Sequence, residues 1–236
     1  MLLVLLLLVS WAALTAEQQP DKQLVATISG PELKGGIISE ITWDGGLLMI
    51  QGVFAEAGGE LKAHYFVLPA DGMTIERRDT QTDASLNYWN TKASRRSPTG
   101  LGPIEVTSDT KMPQFGIGSL ERRMMDAVEM GGTQSKAVVR LGDLVMHERN
   151  GPEPYDGETW SWSPPELNRI AYVDGKGDLW VARADGRTPR RLMRGDFTLP
   201  AWSDDGRAIA IAERKDGGRR WEVSVIHLPA DLRTFR

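Results

Sequence analysis

Apolar and polar positions change in short beats along this chain. Stretches such as "LLMIQGV" (47–53), "IAYV" (170–173) and "AIAIAE" (208–213) are brief apolar runs of strand length, whereas "DLWVARAD" (178–185) and "WEVSVIHL" (221–228) alternate apolar with polar residues. Continuous short runs are the pattern of strands buried on two faces, and alternation is that of strands buried on one. Between the runs stand "WDGG", "DGKGD", "SDDG" and "KDGGRR", glycine-rich pairs of the kind that close tight hairpins. The pattern predicts an all-β fold built of short antiparallel strands.

The beats recur. "TWSWSPPELNRIAYV" around Trp162 is answered by "PAWSDDGRAIAIAE" around Trp202, 40 residues later. A fainter copy, "EITWDGGLLMIQGV", holds Trp43, which stands 119 residues before Trp162, close to three such intervals. "VLPAD", ending at Asp71, matches "HLPAD", ending at Asp231, 160 residues on and four intervals away. One unit of about forty residues organises the chain. In each copy a first strand ends at the Trp, a tight turn leads to an apolar second strand, and a glycine-rich turn leads to an alternating third. An Asp-bearing turn then opens a polar fourth strand, such as "MTIERRD" or "TPRRLMR".

Four antiparallel strands per forty residues is the unit of a β-propeller blade. The turns after third strands, at Asp71, Asp109, Asp143, Asp185 and Asp231, predict about five blades. The second and third are weakly patterned. The last has no fourth strand of its own, since only "LRTFR" follows Asp231, while "KQLVATIS" (22–29) is a spare strand ahead of the first blade. Pairing the spare strand with the last blade closes the ring and removes unpaired edges that invite aggregation.

"WSPPELNRIAYVDGKGDLWVARADGRTPRRL" (162–192) and "WSDDGRAIAIAERKDGGRRWEVSVI" (202–226) resemble the repeat of the TolB-like (WD40-like) β-propeller family, in which W-S-P-D-G-x-x-I-A-F is followed by a turn, an I-Y-V-like strand and D-G. The resemblance covers residues 160–236 well, 38–80 in part and 81–159 poorly. It implies an extracytoplasmic bacterial propeller, used as a protein-binding platform or as the lid of a peptidase. The separate α/β domain of TolB and the hydrolase domain of the peptidase members are not expected within these residues.

Composition narrows the reading. Hydrophobic residues at 41% and charged residues at 25% are ordinary for a soluble globular protein. A net charge of -4, from 28 basic and 32 acidic residues, lacks the concentrated positive charge that a phosphate backbone requires, so nucleic acid is not the expected partner. Residues 1–16, "MLLVLLLLVSWAALTA", carry no charge and end in small residues before the polar "EQQPDK". This is the pattern of a secretory signal peptide, with an uncleaved anchor as the alternative; cleavage leaves residues 17–236 as one propeller domain, periplasmic or secreted, with no membrane span in the mature chain. The cysteine count is zero, which removes disulfides and thiolate chemistry and leaves the core to hold the fold.

Familiar catalytic patterns are missing. "GIGSLE" places Ser119 outside a nucleophile elbow, and His64, His147 and His227 lack metal-ligand spacing. No Walker loop or dinucleotide fingerprint occurs, so the sequence calls for no cofactor and no metal. The arginine pairs 77–78 and 190–191 fall on outermost strands, where charge deters sheet-to-sheet pairing. Trp43, Trp162 and Trp202 are expected to pack between blades rather than to hold a ligand. Glu40, Asp83, Glu158 and Asp196 occupy positions where the chain enters innermost strands, around the mouth of a central funnel. Tyr88 and Trp89 lie in the irregular second blade, residues 83–118, and are residue types favoured at interfaces.

The expected function is therefore a non-catalytic platform that binds a protein or a cell-envelope component, with Tyr88, Trp89, Glu158 and Asp196 as candidate contact residues. A monomer suffices for it. The alternative is a glycan-active hydrolase using paired carboxylates around the funnel.

Overall fold

The computed structural model describes residues 20–29, 37–55, 61–69, 76–78, 104–108, 136–150, 158–216 and 220–233. They form strands β1 (Asp21–Ser29), β2 (Ile37–Asp44), β3 (Leu47–Ala55), β4 (Leu61–Pro69), β5 (Glu76–Arg78), β6 (Ile104–Ser108), β7 (Lys136–Leu141) and β8 (Leu144–Asn150). Then come β9 (Trp160–Trp162), β10 (Arg169–Val173), β11 (Leu179–Arg183), β12 (Arg190–Met193), β13 (Phe197–Trp202), β14 (Ala208–Lys215) and β15 (Arg220–His227). Short 3-10 turns occupy Pro165–Leu167 and Ala230–Leu232, and there is no α-helix among the described residues.

The strands form four antiparallel sheets. The first sheet runs β2-β3-β4-β5, the second β6-β7-β8, the third β9-β10-β11-β12, and the fourth β13-β14-β15-β1. β1 pairs with β15 along its length, from Asp21 opposite His227 to Ser29 opposite Arg220, so the first strand among the described residues completes the sheet made by the last three. Hairpin chemistry sets the first register. Gly45 and Gly46 both have positive φ, 54° and 91°, which is the conformation of a two-residue type I′ turn between Asp44 and Leu47.

Sheet packing follows from alternation along each strand. On β14, Ala208, Ala210 and Ala212 face the first sheet, in a core with Trp43, Leu48 and Ile50. Ile209 and Ile211 face the third sheet, in a core with Val173, Val181 and Leu192. Successive strand residues point to opposite faces, so one five-residue run serves two cores at once. Each fully buried Ile contributes about 2–3 kcal/mol through removal of apolar area from water. The third sheet is buried on both faces in the same way: Ala171 and Val173 meet the fourth sheet, while Ile170 and Tyr172 meet Val139, Leu141 and Met146 of the second. The sheets are thus stacked in the order first, fourth, third, second.

First strands of neighbouring sheets lie side by side. β13 packs against both β2 and β9. The Trp43 indole N–H donates to the Ala201 carbonyl at 2.9 Å, the Leu199 amide donates to the Glu158 carbonyl at 2.8 Å, and the Trp202 amide to Ser161 Oγ at 3.3 Å. A bulge in β13 between Thr198 and Ala201, with Leu199 at φ 55°, turns the Leu199 amide out of its own ladder and toward Glu158.

Trp162 and Trp202 close their first strands and Trp43 is the penultimate residue of its own, as the forty-residue register predicts. All three are buried in cores between sheets, Trp202 fully so. The serine after each later tryptophan explains the repeated W-S pair. Ser203 Oγ accepts from the amides of Arg207 and Ala208 at 3.1 and 2.9 Å, and Ser163 Oγ accepts from the Arg169 amide at 3.0 Å, each closing the turn that follows.

The expected division into units differs in the middle of the chain. The sequence places the turns at 109 and 143 after the third strands of two separate blades, but β6, which stops at Ser108, pairs with β7, and Asp143 stands in the β7–β8 turn of that same sheet. Counting equal intervals fails there because antiparallel pairing tolerates a long insertion: closure entropy rises only with the logarithm of loop length. The expected leader at 1–16, the Asp71 turn, Asp83, Tyr88 and Trp89 lie outside the described residues. No helix among the described residues is long and apolar enough to cross a membrane.

Candidate functional site

Two ends of the sheet stack carry candidate chemistry. At one end the chain enters the first strands of the third and fourth sheets. Glu158 precedes β9 by two residues and is half-buried, while Asp196 stands immediately before β13 and is exposed. The structure brings these two sequence-predicted residues to the same end of adjacent strands, since the Glu158 carbonyl accepts from both the Leu199 amide and Thr198 Oγ1. The Asp196 backbone lies against Gly177 of the β10–β11 turn. Asp174 and Asp178 of that turn are structural. Asp174 Oδ1 accepts from the amides of Lys176 and Asp178, Asp174 Oδ2 accepts from the Trp180 indole, and Asp178 Oδ1 accepts from the Gly195 amide. Glu40 does not stand at an entry; it is the fourth residue of β2, opposite Gln51. Burial first, and then the Glu40 charge, raise the nearby Tyr65 hydroxyl above its ordinary range.

The opposite end holds a cleft of about 550 Å³ at the seam between the first and fourth sheets. One wall is the Gly45–Gly46 hairpin turn with Trp43; the other is the Ser203–Arg207 turn and Ala208. His227, at the end of β15, and Arg233, just beyond the Ala230–Leu232 turn, complete the lining. The two walls are joined, because the Gly45 amide donates to Asp204 Oδ2 at 3.0 Å. Asp205 accepts from Ser203 Oγ at 2.7 Å and from the Arg207 amide at 3.0 Å. Burial works to raise the Asp205 carboxyl, but these hydrogen bonds and the Arg207 charge outweigh it and hold the group below the usual carboxylate range. A Cβ at position 45 or 46 would meet nothing within 4 Å, so the glycines serve the turn, where both have positive φ, and leave bare backbone along the cleft.

No protein family's profile matches this chain, and no curated protein matches it. The functional reading therefore stands on the residues themselves.

Arg190, Arg191, His64 and His147, among the described side chains, serve the fold, whereas the side chains of Arg77 and Arg78 lie outside the described ones. Arg190 Nη1 pairs with Asp231 Oδ2 at 2.6 Å, and Arg191 pairs with Asp178 at 3.3 Å while lying over the Trp180 ring. This pair thus ties its outermost strand to the rest of the structure. His64 and His147 are buried strand residues. His147 Nδ1 lies 3.0 Å from the Val173 carbonyl, which assigns the proton to that nitrogen in the neutral ring. Among the described residues no three His, Cys, Asp or Glu are grouped so as to hold a metal.

Sequence reasoning missed the cleft. Its parts come from positions 43, 45–46, 203–205, 207–208, 227 and 233; the nearest available signal was that "WDGG" and "SDDG" are the same turn of the repeat in two copies.

Proposed function

We propose that the chain is a small extracytoplasmic β-propeller of the TolB-like kind that binds a protein or cell-envelope component and performs no chemistry of its own. Support for the propeller reading comes from the stacking of four sheets with their first strands side by side and from the forty-residue register. The apolar residues 1–16 support export. The binding reading is carried by one observation: the cleft between the first and fourth sheets is a concave surface whose walls are joined by the Gly45–Asp204 hydrogen bond. Preformed clefts at the ends of rigid sheets are where recognition is least costly in entropy.

The test is affinity capture with the full chain as bait against envelope extract, read by mass spectrometry. A single enriched partner that is lost on charge reversal in the cleft, Arg207→Glu with Arg233→Glu, or on Tyr88→Ala with Trp89→Ala, is the expected outcome. Capture of nothing above a bait of unrelated fold sinks the platform reading.

The placement of Glu158 and Asp196 at adjacent strand entries favours a second reading, glycan hydrolysis. Glycan turnover abolished by Glu158→Gln or Asp196→Asn would replace the platform with that enzyme.

A further inference from the structure

The cleft between the first and fourth sheets carries charges of both signs, and they are not equally engaged. Asp204 accepts from the Gly45 amide, and Asp205 accepts from Ser203 Oγ and the Arg207 amide. Both acids are turned to the protein's own donors. On the basic side, the Arg207 side chain is 72% exposed, and its Nε makes only a long ion pair with Asp205 at 3.7 Å, beyond hydrogen-bond length, so its N–H donors stay open to a further acceptor. Arg233 is anchored by Nε donating to the Leu228 carbonyl, which leaves its two terminal nitrogens as donors with no acceptor among the described residues. His227 is exposed at the end of β15. The donors left over in this cleft are therefore the ones that suit an anion.

Size and charge narrow the anion. A volume of about 550 Å³ falls within the 300–1,000 Å³ typical of sites for whole small ligands. An inorganic ion replaces only a few waters of about 30 Å³ each and leaves most of that space wet. The rest of the lining is the Trp43 indole, Ala208 and the uncovered Gly45–Gly46 backbone, which suits an apolar body. Asp204 and Asp205 stand in the same lining, and their repulsion weighs more heavily on a doubly charged phosphate than on a singly charged carboxylate. Arginine forks match carboxylate geometry through paired N–H donors.

We propose that this cleft binds the free carboxylate terminus of a short apolar peptide segment, with Arg207, His227 and Arg233 receiving the carboxylate and Trp43, Ala208 and the Gly45–Gly46 turn bordering the apolar body. The inference rests on the platform reading, the segment being the end of the partner protein's chain.

The test uses ¹⁵N-labelled full-length chain titrated with N-acetyl-alanyl-leucine, with its C-terminal amide, and with inorganic phosphate. The free acid is expected to shift the Gly45 and Gly46 amides and the Arg207 Nε signal saturably. The amide should bind at least about tenfold more weakly, since a hydrogen bond to a charged group is worth about 1.5–3 kcal/mol. Arg207→Gln with Arg233→Gln should weaken the acid by a similar factor at unchanged far-UV circular dichroism. Arg207→Gln alone, at a side chain 72% exposed, serves should the pair disturb folding. Equal binding of acid and amide, shifts confined to residues outside the cleft, or phosphate binding as tightly as the acid each overturns the proposal. A captured partner indifferent to the two arginine substitutions also overturns it and leaves the platform standing, whereas acid binding with no captured partner does the reverse.

Discussion

Gly175→Ala tests the seam between the second and third sheets through a reversal of sign. Gly175 lies in the β10–β11 turn without a positive φ, so alanine is compatible with its backbone. On local grounds the substitution should stabilise the protein by about 0.4–1 kcal/mol, by restricting the unfolded chain. The tertiary structure dictates the opposite. An added Cβ would sit 1.8 Å from the Glu148 carbonyl oxygen and 2.8 Å from its carbon, both backbone atoms of β8. Backbone has no rotamer by which to escape, so one sheet must retreat by more than about 1 Å, an overpacking that costs roughly 1–3 kcal/mol. The same retreat strains the His147 Nδ1 to Val173 carbonyl contact of 3.0 Å, worth a further 1–3 kcal/mol or so when a buried partner is orphaned. The net expectation is a loss of about 2–4 kcal/mol, or roughly 5–15 °C in Tm for a chain of this size. Urea unfolding should show a lower midpoint at unchanged slope. Unchanged or raised stability would refute the stacking of the second sheet on the third.

Three further perturbations probe single buried groups. Burial holds His147 neutral by lowering its pKa from 6.5, with the Arg149 charge acting the same way against the Val173 and Asp174 backbone hydrogen bonds and the Asp174 charge. The unfolded state therefore gains a proton first as pH falls, and stability present above pH 6.5 declines as pH drops from there through the folded pKa. Urea midpoints across that range should fall in the natural chain and stay flatter in His147→Gln; parallel profiles would exclude this histidine as the cause. Trp43→Phe removes the indole donor to the buried Ala201 carbonyl and leaves a small void between the first and fourth sheets. The expected cost is about 2–4 kcal/mol by chemical denaturation, and a cost under about 0.5 would mean that the bond does not tie the sheets. Ser224, 1% exposed on β15, has a buried hydroxyl oxygen without a hydrogen-bond partner. Ser224→Ala should raise stability by about 1 kcal/mol, whereas a lower Tm would reveal a partner for that hydroxyl.

Strand identity was legible in the sequence wherever two kinds of signal coincided. Around Trp162 and Trp202, apolar runs of strand length, the W-S turn and the glycine-rich turns all pointed to the same boundaries, and β9 through β15 follow them. These are local effects, since a serine that closes its own turn and an alternation that divides "AIAIA" between two cores act within a few residues. The pairing of β1 with β15 was also legible, because "KQLVATIS" reads as a strand outside any forty-residue unit. The grouping of β6 with β7 and β8 was not, since strand pairing across a long insertion leaves no periodic trace.

The candidate site divides in the same way. Glu158 and Asp196 could be placed from sequence at strand entries, because that depends on where each strand begins. That Glu158 lies beside Thr198 and Leu199 depended on a bulge and a positive φ in β13. The cleft was decided by tertiary structure alone. Gly45 and Asp204 are 159 residues apart and meet because apolar faces of two sheets pack together, a non-directional force that fixes which turns become neighbours without marking them in the sequence.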